Sequence, residues 1–164
     1  MVALSALADG VAGIQWTPPS NWKNEGSRPM RAATYTVPAA AGDSEGAECV
    51  AYFFGKGQGG SAEANVARWQ GQFQAAGGGP VKATNLKKTY MSGFPVTTLE
   101  VAGTYTGSGG PMAETKSSKP FYKLLGAIIE GPGGNVFFKL TGPTKTVAAN
   151  QAAFNKMIAS LKFQ

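Results

Sequence analysis

Residues 49–69 read CVAYFFGKGQGGSAEANVARW. A run that is apolar on both sides of an extended chain passes through a loop holding four glycines into a segment with Ala62, Val66, Trp69 and then Phe73 at helical spacing. Ser61 is a good helix N-cap, and Glu63 falls in the first turn, where the macrodipole favours an anion. The AAGGGP break at 75–80 ends the pattern. A strand apolar on both faces belongs at the centre of a sheet whose two faces are covered. The fold must therefore supply a second such strand and a second cover.

Both are present. Residues 124–129, LLGAII, are again apolar on both faces, and the C-terminal segment carries Val147, Phe154, Met157, Ile158 and Leu161 as one apolar stripe, with Thr144 or Thr146 as its cap and its end near Gln164. Between the two helices, residues 82–91 and 94–106 alternate around Ser92-Gly93, and 122–130 and 135–141 flank GPGG at 131–134. Each pair reads as an antiparallel hairpin. Further upstream, GIQWTPPSNW at 13–22 places short strands around a Pro-Pro turn, with Trp16 and Trp22 expected to meet across it. In 30–37, MRAATYTV, Ala33, Tyr35 and Val37 share one face and Thr34 and Thr36 the other. The predicted fold is α+β: an antiparallel sheet of about six or seven strands with amphipathic helices packed on its faces, an α-β-α sandwich. Residues 13–164 form the single domain and 1–12 a flexible N-terminal segment; GSGGPMAETKSSKP at 107–120 is expected to be disordered, with a binding loop as the alternative.

The glycine loop has the strand-loop-helix setting of a phosphate-binding site. Gly55, Gly57 and Gly60 satisfy G-x-G-x-x-G, and a helix N-terminus offers free N–H groups to an anion. A dinucleotide fold also needs a parallel β-α-β unit and an acid roughly 20 residues on, whereas the next acid after Glu63 is Glu100. The Walker pattern fails because Ser61 stands where lysine is required. The favoured reading is a tight turn that needs positive φ angles. The alternative is a small-anion or nucleotide site made by Lys56, Gly57, Gln58, Gly59, Gly60 and Ser61, with Arg68 as a charge partner.

Composition narrows the chemistry further. The 164 residues carry 15 Lys+Arg against 9 Asp+Glu and no histidine. Ser-His-Asp and Cys-His arrangements are thereby excluded, and so is the commonest zinc ligand. The scattered lysines, with Lys87-Lys88 and nearby Lys82 the densest group, argue against nucleic acid as a partner. The single cysteine, Cys49, reads as a small buried hydrophobe. Asp43, Glu45 and Glu48 read as a solvated loop face, and Lys123 and Lys139, each in an apolar strand, as solvent-facing positions near strand ends. A hydrolase built on carboxylates assembled in space stays open as a second alternative. The N-terminus does not read as an intact signal peptide, and no apolar run approaches the ~18 residues of a membrane span.

The stretches FGKGQGGSAEANVARWQGQF (54–73), LLGAIIEGPGGNVFFKLTGP (124–143) and TVAANQAAFNKMIASLK (146–162) resemble a group of uncharacterised exported bacterial proteins, themselves similar to the PsbP-like fold, whose opening GIQWTPPSNW also resembles. The resemblance implies the same α-β-α sandwich, an extracytoplasmic location after removal of an export signal, and membrane tethering through a lipoprotein signal. Members of that fold serve as accessory subunits of photosystem II and as a nuclear-import cofactor; neither role maps onto residues here. The expectation is a non-catalytic extracytoplasmic accessory or binding domain without a cofactor, whose partner is a protein or small ligand.

Overall fold

The computed structural model describes residues 9–107 and 118–164. The core of the 107–120 stretch and residues 1–8 lie outside the described residues. The N-terminal part that is described is already structured: β1 (Asp9–Val11) pairs with β2 (Ile14–Trp16), which pairs in turn with β11 (Lys162–Phe163) in a small three-stranded sheet.

The main sheet has eight strands, more than the six or seven expected. In order they are β3 (Lys23–Asn24), β4 (Arg31–Val37), β5 (Ala47–Tyr52), β10 (Gly134–Pro143), β9 (Lys119–Gly131) and β8 (Phe94–Tyr105). The outer edge of β8 is shared by β7 (Thr84–Met91) and β6 (Phe73–Gln74). Every pairing among the described residues is antiparallel, so the parallel unit a dinucleotide site needs is not formed there. The two hairpins form where the alternation places them, β7–β8 turning at Ser92 (φ 51°) and Gly93 (φ 82°). Two successive positive φ angles match the right-handed twist of the flanking strands.

Alternation along the central strands divides the interior into two apolar clusters. Leu125, Ala127 and Ile129 of β9 and Val136, Phe138 and Leu140 of β10 pack with Val147, Phe154 and Met157 from α2 (Thr144–Ala149) and α3 (Gln151–Ala159). Leu124, Ile128 and Phe137 pack with Ala62 and Trp69 of α1 (Ala62–Gln70). Phe73, placed in phase with α1 by the sequence, instead enters the second cluster from β6 after the helix stops at Gly71.

Trp16 and Trp22 do not form a cross-strand pair, because β3 turns away to pair with β4. Both converge on Tyr35: Trp16 Nε1 donates to its hydroxyl at 2.9 Å, Trp22 lies 6.1 Å from its ring, and the hydroxyl donates to Asp9. Burial, with the Asp9 hydrogen bond next, pushes the Tyr35 pKa well above the ordinary tyrosine range. The C-terminal stripe is two helices rather than one. Asn150 (φ −107°) interrupts it, donating its side-chain amide to Thr146 O at 2.8 Å and accepting from Trp22 Nε1 at 3.1 Å. Neither Thr144 nor Thr146 caps α2; Asp43, from the loop before β5, accepts from Thr146 N at 3.0 Å and from its hydroxyl at 2.5 Å.

Two outcomes test this packing. A Cβ on Gly126 would lie 2.5 Å from Trp69 Cζ3 and 3.0 Å from Leu99 Cδ2; Gly126→Ala is expected to lower stability by about 1–3 kcal/mol in urea unfolding, with altered tryptophan emission. Asp43→Ala removes the N-terminal acceptor of α2 and is expected to cost about 0.5–2 kcal/mol, checked in the same assay.

Candidate functional site

The face of the main sheet that carries α1 is only partly covered. Register places Thr34, Val50, Lys139, Gly126 and Leu99 in one row across β4, β5, β10, β9 and β8. The next row is Thr36, Glu48, Thr141, Leu124 and Val101. Trp69 sits over the Gly126 end, which glycine alone leaves room for. The polar ends of both rows, on β4, β5 and β10, floor an open cleft of about 370 Å³ walled by Tyr52, Tyr105, Lys119 and Tyr122. None of its lining residues belongs to α1. A second cavity of about 160 Å³, under the edge of α1, is lined by Tyr52, Phe54, Asn65, Arg68, Trp69, Gln72 and Lys139. Lys139 and Tyr52 belong to both, so the two spaces adjoin at the lysine. The larger one falls at the small end of ligand-site volumes.

Lys139 is the unexpected residue. Its position in β10 points it onto the covered face in phase with Phe137, and it is 8% exposed, not a solvent-facing strand end. Its ammonium donates to the Tyr105 hydroxyl at 3.3 Å and forms no ion pair among the described residues. Burial pushes its pKa down to about 8, Glu48 working against the shift and Arg31 with it. Lys123 is also drawn inward, pairing with Glu100 at 2.7 Å. That pair differs in being closed. Burial alone would raise the Glu100 pKa, yet hydrogen bonds from Lys123 and Asn85 hold it below the ordinary value.

The remaining charges around the cleft are matched. Arg31 pairs with Glu48 at 3.3 Å and lies 5.6 Å over the Tyr52 ring. Lys119 pairs with Glu45 at 3.0 Å, and Glu45 also accepts from the Tyr122 hydroxyl. Those hydrogen bonds, Tyr122 first, lower the Glu45 pKa. The acidic loop is therefore bound into the structure through Asp43, Glu45 and Glu48 instead of being a merely solvated face. In contrast, the hydroxyls of Thr34 and Thr141 and the side-chain oxygen of Gln72 are buried without a hydrogen-bond partner among the described residues. Such groups are uncommon because an unmade hydrogen bond costs about 1–3 kcal/mol. Thr141 and Gln72 line the two cavities, and Thr34 stands beside Val50 in the Lys139 row.

The residues singled out in the glycine loop have other partners. Gly55, Gly57, Gly59 and Gly60 all have positive φ, and a Cβ on Gly59 would lie 2.6 Å from Phe54 Cδ2. Gln58 N closes a turn onto Gly55 O at 3.0 Å. Ser61 caps α1, accepting from Ala64 N at 3.1 Å. Asn65 Nδ2 donates to Gly59 O and Ser61 O. Lys56 is exposed and does not line the cavity that Arg68 lines. Arg68 instead faces the space it shares with Lys139. The sequence signal for Lys139 was its phase: in VFFKLTG it alternates with Phe137 and Thr141, opposite Phe138 and Leu140. Among the described residues no cluster of three or more metal-ligating side chains occurs, and no helix is long and apolar enough to cross a membrane.

No protein-family model and no curated protein matches the sequence. Solved structures do match the fold. The solution structure of cyanobacterial PsbP (CyanoP) from Synechocystis sp. PCC 6803 is similar with a TM-score of 0.58 at 12% identity, over 96% of this chain and 91% of that one. The crystal structure of PA94, a protein of unknown function from Pseudomonas aeruginosa, is similar with a TM-score of 0.54 at 15% identity, over 96% of each chain. Eight antiparallel strands, few helices and end-to-end likeness to these structures together give this chain a PsbP-like fold.

Proposed function

We propose that the chain is a non-catalytic accessory or binding domain acting outside the cytoplasm, and that it binds a small ligand in the Lys139 cleft. The location rests on the resemblance to exported proteins. The α-β-α arrangement is adopted with it, supported by the separate apolar clusters of α1 and of α2 with α3. One observation carries the binding site: a buried ammonium without an ion-pair partner among the described residues, at the junction of two cavities and beside polar atoms that lack partners. A hydrolase of the two-carboxylate kind is disfavoured because Glu48 alone among carboxylates lines the cleft, and Arg31 holds it. The anion-binding alternative fits better at Lys139 and Arg68 than at the Gly55 to Ser61 loop, whose serine already caps α1 and whose Gly59 carbonyl already accepts from Asn65 of that helix.

A fragment screen by two-dimensional NMR is expected to shift resonances of Tyr52, Lys139 and Thr141 first, and Lys139→Met is expected to weaken those hits at least tenfold. Hits confined to other surfaces would refute the assignment. The lysine also sets a pH signature. Its folded pKa of about 8 lies below the 10.5 of a free lysine, so its penalty on stability is fully present below pH 8 and fades as pH rises toward 10.5. Lys139→Met is expected to be more stable than the parent at pH 7 by on the order of 1–3 kcal/mol, the difference narrowing above pH 8 in thermal or urea unfolding.

A further inference from the structure

Resting on that reading of the cleft, we propose its ligand class: a small organic monoanion, a carboxylate on a flat aromatic body that also carries a hydrogen-bond donor. The charge follows from a local count. Arg31 is matched by Glu48 and Lys119 by Glu45, leaving the ammonium of Lys139 as the residual charge inside the main cleft. Arg68, on the inner cavity, is exposed and donates to Asn65, so its charge is solvated, and the one buried positive charge is satisfied by one negative charge. The Thr141 hydroxyl lines the same cleft and can donate to the second carboxylate oxygen.

The body follows from the walls. Two stacked aromatic pairs stand on either side of the lysine: Tyr52 with Phe54, centroids 5.8 Å apart and planes 9° apart, and Tyr105 with Tyr122, 5.7 Å and 15°. Cations lie over three of these rings, Arg31 over Tyr52 at 5.6 Å, Lys119 over Tyr122 at 5.5 Å and Lys139 over Tyr105 at 5.5 Å, so the walls present ring edges, and an edge-to-face arrangement favours a planar aromatic body between them. The donor follows from Gln72, whose partnerless side-chain oxygen lines the inner cavity with Lys139. A ligand with its carboxylate at Lys139 and its ring along Tyr52 and Phe54 brings a hydroxyl or amino group toward Gln72.

The test compares 4-hydroxyphenylacetate, its uncharged amide, phenylacetate and inorganic phosphate by NMR titration and calorimetry on the full chain, with Lys139→Met and Thr141→Val beside it. The aromatic carboxylate is expected to bind at least tenfold tighter than the amide at pH 7, phenylacetate to bind more weakly than its hydroxylated form, and the advantage over the amide to vanish in Lys139→Met. Thr141→Val is expected to weaken the carboxylate several-fold and the amide little. Binding should also weaken as pH rises through 8 and take up a proton there. The ammonium is faced by Arg31, Glu48 and Lys119 of the cleft, by Arg68 of the inner cavity and by the phenols of Tyr52, Tyr105 and Tyr122, with Glu45 behind Lys119; burial raises the pKa of Tyr52 and Tyr122, and the hydrogen bond with Glu45 raises that of Lys119. Equal or tighter binding of the amide in the cleft would overturn the ligand class while leaving the cleft as a ligand site. Phosphate bound as tightly as the aromatic carboxylate would overturn the aromatic body in favour of a plain oxyanion site. If none of the four probes and no fragment of any charge shifts the cleft residues, the binding-site reading falls, and this class with it.

Discussion

Side by side at the middle of the main sheet, residues 124–129 and 136–140 are buried on both faces, and Lys139 is the one charged side chain in either stretch. A strand in that position cannot discharge its apolar residues to water on either side, so the chain needs a cover for each face. On one face α2 and α3, together with β2, complete the cover. On the other α1 is nine residues long and sits over the β8 and β9 side, with its edge at Phe137 and Lys139 of β10. The cleft is the uncovered remainder, floored by whatever β4, β5 and β10 present to it.

What they present is polar, and unevenly satisfied. Glu100 with Lys123 shows what a settled charge looks like in this protein: a short pair, supplementary hydrogen bonds, a depressed carboxyl pKa. Lys139 has a phenol and little else. A core residue of similar length, such as methionine, would fill the same space at lower free energy, since desolvating a charge outweighs what one neutral hydrogen bond returns. Sites that trade stability for recognition have this character.

Local pattern exposed the long strands, both hairpins, α1 with its serine cap and the two-sided burial of the centre, because each depends on neighbours within a few residues; the short strands β1, β6 and β11 it did not. It missed what distance in sequence hides. Asp43 caps a helix through Thr146, 103 residues later, a separation across which no capping motif can be recognised. Asn150 breaks the last helix through a tryptophan 128 residues away. Lys139 reads as an outward lysine until β5 and β10 pair and set Glu48, Val50 and Thr141 around it. The glycine loop drew notice as a possible anion site by its glycine spacing and its strand-loop-helix setting, and its geometry is accounted for by the approach of Gly59 to two phenylalanine rings.

The pairing of β5 with β10 also fixes the order in which the molecule can assemble. Cys49 meets Leu140 and Val50 meets Lys139, so the strands that join the two halves of the sheet come from remote parts of the chain. The β7–β8 and β9–β10 hairpins can close early at small entropic cost, whereas β5 keeps an unsatisfied edge until β10 arrives. High contact order of this kind places folding in the slow range for a domain of this size, on the order of milliseconds to seconds. The cleft is then among the last features to exist, because its floor straddles that late seam.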